Sequence, residues 1–279
     1  MATAPNKPTT PVKKESSTAS GMFAVLTIPI CIIVGVLIFI FILGDPSHYA
    51  GGDVEHGLPQ DIFGTVHKGG PIVPVIMSFV LMVIVFSIER AIVIGKASGT
   101  GNMDAFVRKI TSSLNAGNID AANAECDKQK GSVANVIKSG LKKYREMEAD
   151  QNLTIDQKTL AIQKDIEEAT ALEMPMLEQN LTIIATLVSI GTLMGLLGTV
   201  VGMIRAFATL AASGAPNTSE LSSSISEALI NTALGITTSA SSIILYNFFT
   251  SKIDKLTYAI DETGFSIVQT FAASHANKH

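Results

Sequence analysis

Residues 181–204 read LTIIATLVSIGTLMGLLGTVVGMI, an uncharged run that ends at Arg205. An α-helix crosses the hydrocarbon core of a bilayer with about 20 apolar residues, so this run is long enough to span a membrane. Three other stretches share its character. Residues 22–44 (MFAVLTIPICIIVGVLIFIFILG) carry no charge; residues 71–88 (PIVPVIMSFVLMVIVFSI) precede Glu89 and Arg90, after which AIVIG extends to Gly95; residues 225–249 (ISEALINTALGITTSASSIILYNFF) carry one charge, Glu227. No strand pattern of any length competes, so the expected fold is an all-α integral membrane protein with four transmembrane helices.

The composition agrees. The 279 residues are 47% apolar and 16% charged, with a mean hydropathy of +0.38, an excess that calls for a solvent other than water. A formal net charge of -4 excludes nucleic-acid binding as the main role, because a phosphate-binding surface needs a basic excess. Cys31 and Cys126 suggest neither a disulfide framework nor a metal site and are read as packing residues. The first apolar run is longer than the roughly 7–15 residues of a signal-peptide core and lacks a nearby small-residue cleavage site, so it is expected to stay as an anchored helix.

Lysine and arginine alternate between connections. Residues 1–21 hold Lys7, Lys13 and Lys14; residues 45–70 hold Lys68; residues 96–180 hold eleven; residues 206–224 hold none; the end from 250 holds Lys252, Lys255 and Lys278. By the positive-inside rule both termini and the 96–180 region face the cytoplasm, and the 45–70 and 206–224 connections face outward. Within 96–180, a break at Ser98-Gly99-Thr100-Gly101-Asn102 precedes apolar residues at helical spacing: Phe106, Ile110 and Leu114, then Val133, Val136, Ile137 and Leu141. From Ile155, the pattern of Leu160, Ile162, Ile166, Ala169 and Leu172 runs into the third span and predicts one long helix kinked at Pro175.

Catalytic motifs are absent: there is no GxxxxGK[ST], GxSxG, HExxH or CxxC, so neither an enzyme nor a cofactor or metal is expected. His48, His56 and His67 share the 45–70 loop at irregular spacing, and His275 and His279 lie near the end. The third span carries Gly191, Gly195, Gly198 and Gly202 in small-xxx-small patterns that let helix backbones approach closely, within one subunit or between copies. On the fourth span, at 100° per residue, Ser223, Ser224, Asn231, Thr238, Ser241 and Ser242 all fall within about 60° of Glu227. This polar stripe should avoid lipid. Glu227 has two readings, a carboxylate snorkelling at the end of its helix or a protonatable group facing a cavity.

The runs Leu193-Met-Gly-Leu-Leu-Gly-Thr-Val-Val-Gly-Met-Ile-Arg-Ala-Phe207 and Ile225-Ser-Glu-Ala-Leu-Ile-Asn-Thr-Ala-Leu-Gly235, then Tyr246-Asn247, together with Ser87-Ile-Glu-Arg90, resemble the ExbB/TolQ branch of the MotA/TolQ/ExbB proton-channel family. The resemblance covers roughly residues 71–260, and the first span lies outside the usual three-helix pattern. It implies a subunit of the bacterial inner membrane that forms a homopentamer around a dimer of single-span ExbD/TolR-like proteins, with a TonB-like partner, and that uses proton flow to drive motion. Motif matching assigns Glu227, Thr199 and Thr232 to the ion pathway. Thr232 sits near 140° from Glu227 on the wheel and so is expected to turn toward the third span and Thr199. Composition, the apolar runs and the charge alternation divide the chain into a disordered cytoplasmic tail (1–21), an extra transmembrane helix (22–44), a periplasmic loop (45–70), a transmembrane helix (71–95) and a cytoplasmic helical domain (96–180). A transmembrane helix (181–212), a periplasmic turn (213–218), a last transmembrane helix (219–250) and a cytoplasmic tail (251–279) complete it. An ExbB role in nutrient import is favoured over a TolQ role in envelope maintenance or a flagellar or gliding stator. A secondary transporter would want inverted repeats, and neither these nor broken mid-membrane helices are present.

Overall fold

A computed structural model of the chain describes residues 16–54, 57–213 and 218–276. The first fifteen residues of the expected tail, residues 214–217 of the expected turn, and His56 and His279 lie outside the described residues. Nine α-helices are present among the described residues, with no strand: α1 (Ser16–Leu37), α2 (Ile62–His67), α3 (Val73–Ser98), α4 (Met103–Asn115), α5 (Ile119–Gln129), α6 (Gly131–Ala149), α7 (Ile155–Glu178), α8 (Leu181–Ser213) and α9 (Thr218–Ala276). Four helical stretches are long and apolar enough to cross a membrane, so the chain is an all-α integral membrane protein.

The spans form a bundle with two ends. The loop end holds residues 45–70, and the domain end holds α4 to α7. α1 continues as a π-helical turn over Ile38–Leu43 and packs chiefly along α3, through Gly35, where a Cβ would collide with Ser78 Oγ, and through the edge-on rings of Phe23 and Phe86. Most of its apolar side chains remain exposed, as expected of a peripheral helix bathed in lipid.

At the domain end one apolar core joins Phe106, Ile110 and Leu114 of α4, Val133, Val136, Ile137 and Leu141 of α6, and Ile162 and Ile166 of α7. Leu160 and Leu172, which share the apolar pattern of α7, point outward instead. Asn102 caps α4, Asn118 caps α5, and Thr154 with Gln157 forms a capping box on α7, each satisfying backbone N–H groups that a helix start leaves free.

Two sequence expectations change. Of the expected 251–279 tail, residues 251–276 are not separate, because α9 continues unbroken to Ala276, and Ile253, Leu256, Ile260, Ile267 and Phe271 bury one face against the domain. At 59 residues α9 is about 90 Å long and ties the membrane bundle to the domain. Residues 155–213 do not form one helix kinked at Pro175. The chain breaks at Gln179 and Asn180, where Asn180 adopts φ 64°, a left-handed conformation that asparagine tolerates better than most residues. Pro175 stays inside α7, and its carbonyl accepts the Gln179 N–H.

Arg90 completes that break. Its side chain is 1% exposed, and Nη1 donates to the carbonyls of Met176 and Leu177 at 3.1 Å each, while Nε donates to Glu89 at 2.5 Å. The last carbonyls of a helix lack intrahelical donors and carry its negative dipole end, so a guanidinium is well matched to them.

Candidate functional site in the α8/α9 hairpin

α8 and α9 run antiparallel, and four glycines bring their backbones together. A Cβ on Gly191 would meet the Gly235 carbonyl at 3.3 Å, one on Gly195 the Gly235 Cα at 3.1 Å, one on Gly198 the Asn231 Cβ at 2.3 Å, and one on Gly202 the Ala228 Cβ at 2.8 Å. All four glycines therefore face α9 of the same chain.

This close approach positions the hydroxyls. Thr199 Oγ1 and Thr232 Oγ1 are 2.8 Å apart, and each also lies 3.2 Å from the Gly195 carbonyl. Each hydroxyl has one proton, so when one threonine donates to the other, its partner is free to donate to a carbonyl. Thr232 turns toward α8, off the Glu227 stripe.

Glu227 lies near the loop end, and its side chain is 14% exposed. Arg205 Nη1 of α8 donates to its Oε1 at 2.6 Å. The flank toward the turn before α3 is closed: a Cβ on Gly70, at φ 77°, would come within 2.3 Å of Oε1. One helical turn farther along α9, the fully buried Asn231 donates from Nδ2 to the Gly69 carbonyl at 2.7 Å, while its Oδ1 has no partner among the described residues.

The rest of the stripe divides. Thr238 and Ser242 are buried and donate back to the Leu234 and Thr238 carbonyls at 2.8 Å each, whereas Ser223 and Ser241 are exposed and Ser224 is half-buried. Ser239, one position from Thr238, crosses to the Val188 carbonyl at 2.7 Å.

Above the bundle the described residues of the 45–70 loop are folded rather than irregular. His48 Nδ1 lies 2.6 Å from Asp61 Oδ2, the buried Tyr49 hydroxyl lies 2.6 Å from His67 Nδ1, and the Phe39 ring sits 4.5 Å from the His67 ring. Burial, then the Lys68 charge, holds the His67 imidazole below its usual value, so its neutral form can accept the Tyr49 proton. No group of three His, Cys, Asp or Glu side chains suited to a metal occurs among the described residues.

The sequence reading passed over Arg205 and the Gly69–Gly70 turn. Arg205 did carry a signal: it is the lone basic residue between 181 and 251, one helix away from the lone acidic residue of the next apolar run. The turn carried none, because its contact with α9 depends on how the loop folds back.

An antiparallel pair of membrane helices that holds paired hydroxyls, a buried amide and a half-exposed ion pair along its seam belongs to the class of multi-span membrane proteins with polar groups placed within the bundle. Residues 128–262 match the MotA/TolQ/ExbB proton channel family, and the match includes α8, Thr199, Thr232, Arg205, Glu227 and α9 as far as Glu262. An ExbB-like biopolymer transport protein of Synechocystis sp. is 35% identical over 88 residues, covering 31% of this chain and 42% of that protein. The biopolymer transport protein ExbB of Aquifex aeolicus is 42% identical over 77 residues, 28% of this chain and 52% of its own length. The Tol-Pal system protein TolQ of Pseudomonas aeruginosa is 26% identical over 155 residues, 55% of this chain and 67% of its own length. The chain thus matches about half of the length of these ExbB-type relatives.

Proposed function

We propose that this protein is an ExbB-like subunit of a proton-driven motor in the bacterial inner membrane, multi-pass with both termini cytoplasmic. It forms a homopentamer around a dimer of single-span ExbD/TolR-like proteins and, with a TonB-like partner, powers import across the outer membrane. The observation that carries this reading is the joining of Thr199 to Thr232 across the α8/α9 seam, with Glu227 on the same helix, inside the segment that matches the family. Two hydroxyls with exchangeable donor roles and a carboxylate at one end of the bundle supply groups that can pass a proton, and the membrane potential offers about 2.3 kcal/mol per charge per 100 mV. Glu227, Thr199 and Thr232 form the ion pathway; Gly191, Gly195, Gly198 and Gly202 set the helix spacing. A TolQ-like role in envelope maintenance is the second reading, favoured by the longer, though less identical, match to TolQ.

Glu227→Gln keeps the shape and hydrogen bonding of the side chain but not its titratable proton, whereas Glu227→Ala removes both. The expected outcome is normal assembly and loss of gradient-dependent activity in both variants. Full activity of Glu227→Gln in cells that need the protein would return Glu227 to a snorkelling role. Collapsing the proton and sodium gradients separately should abolish activity only in the first case.

A further inference from the structure

We propose that Arg205 is a positioning residue for Glu227, a latch whose guanidinium occupies the carboxylate and has to swing away before Glu227 takes a proton; this rests on the reading of Glu227 as part of the ion pathway. Arg205 Nη1 and Glu227 Oε1 are 2.6 Å apart. A guanidinium and a proton compete for the same carboxylate oxygen, so the paired state and the protonated state exclude each other there.

The surroundings decide which partner moves. Glu227 is walled in on one flank by the Gly69–Gly70 turn, where even a Cβ on Gly70 would collide with its carboxylate, and that turn is tied to α9 by Asn231. The Glu227 side chain is 14% exposed and that of Arg205 is 47% exposed, so the arginine, with its long flexible stem, is the group free to leave. Among the described residues, the neighbouring charged groups make contacts elsewhere. From the turn, Lys68 directs its ammonium to the Val54 carbonyl at 3.0 Å and His67 is bonded to Tyr49; from α3, residues 73–88 carry no charge; on α9 itself, Glu220 lies two turns nearer the helix start and is exposed. Gly70 makes the approach possible, because a side chain there would push the carboxylate out of reach of Arg205 and would strain a backbone at φ 77°.

Protonation of Glu227 removes the charge that holds Arg205, and departure of Arg205 leaves the carboxylate open. Proton uptake is thereby linked to the swing of one half-exposed side chain at the loop end, where α9 meets the Gly69–Gly70 turn.

The test uses the full chain in native membranes treated with dicyclohexylcarbodiimide. This reagent adds to a protonated carboxyl group in apolar surroundings: the carboxyl oxygen bonds to the central carbon as the proton passes to one nitrogen, and the acyl group then shifts from that oxygen to the other nitrogen, breaking its C–O bond and leaving a stable N-acylurea on the side chain. Peptide mass analysis reads the rate at Glu227. Arg205→Gln should accelerate modification by about fivefold, the upper range for an ion pair with one half-exposed partner, and Arg205→Lys should bring it back toward the wild-type rate. Equal rates in wild type and Arg205→Gln, with thermal unfolding unchanged, would overturn the latch. A reciprocal measurement covers a folding failure of the arginine variants: phenylglyoxal should modify Arg205 faster in Glu227→Gln than in wild type, and no acceleration again overturns the proposal. Both readouts report the pair without any ion flow. Faster labelling combined with full activity of Glu227→Gln would therefore leave the pair standing and remove the pathway reading instead.

Discussion

At Thr199 and Thr232 the chemistry is that of two hydroxyls sharing one contact. Replacing Thr232 by Val preserves the shape of the side chain but leaves Thr199 with the Gly195 carbonyl as its remaining partner. Replacing Thr199 by Val leaves Thr232 with the Gly195 and Ala228 carbonyls, so neither change strands a buried donor and each should cost the fold only about 1 kcal/mol. If the pair passes protons, Thr199→Val and Thr232→Val should lower gradient-dependent activity partially, by less than Glu227→Gln does, and Thr→Ser at either position should restore it. Full activity in both valine variants would remove the threonines from the path. The position of Thr232 could be read from the sequence because five residues at 100° each turn it away from the Glu227 face. Asn231 belonged to the stripe for the same reason. The Arg205–Glu227 pair could not be placed, since a helical wheel describes one helix, and this contact depends on the register between two.

At the scale of elements, Arg90 shows how a motif recognised by resemblance acquires a physical role. Its guanidinium serves two carbonyls at the end of α7, and the neighbouring Glu89 balances its charge. Arg90→Ala should destabilise the protein by about 2–4 kcal/mol, since it strands carbonyls and a largely buried carboxylate, and Arg90→Lys should recover only part of that because an ammonium lacks the planar fork. Thermal unfolding in detergent checks this, and an unchanged midpoint for Arg90→Ala would contradict the capping role. The break that Arg90 stabilises was misplaced at Pro175 because proline is the stronger local signal, while the asparagine four residues beyond the following methionine gains its left-handed turn from tertiary contacts. The continuation of α9 was legible and overlooked: Ile253, Leu256, Ile260, Ile267 and Phe271 keep a helical period past the end of the apolar span. The folded loop carries its own prediction. The native His67 titrates below its unfolded value of 6.5, so the unfolded state binds more protons as pH falls, and the stability that the neutral ring contributes is present above 6.5 and lost on acidification through the lowered native value. Hydrogen exchange across residues 57–68 should therefore speed up on the acid side of 6.5, and His67→Phe should remove the dependence.

For the whole molecule, the decisive fact is that the glycines of α8 are already used. A ring of several copies is expected from the proposed function, and the small-xxx-small pattern alone allowed the glycines to build either the hairpin or the ring. With Gly198 lying against Asn231 and Gly202 against Ala228 of the same chain, their faces are not available to a neighbour. Surfaces for other copies have to come from elsewhere, and the exposed apolar side chains of Leu160, Leu172, Tyr258 and Phe265, all outside the uncharged runs 181–204 and 225–249, are left for such contacts. The two cases separate experimentally. Gly198→Leu forces a side chain into the Asn231 position and should destabilise each chain by about 1–3 kcal/mol or more, which a melting experiment on the purified protein would show as a lower midpoint for the chain itself. Tyr258→Glu or Phe265→Glu should leave that midpoint nearly unchanged yet reduce the mass of the assembly in mild detergent, because a charge on an exposed face disturbs only what docks there. Should Gly198→Leu instead yield folded, stable single chains, the glycine face would belong to the ring after all.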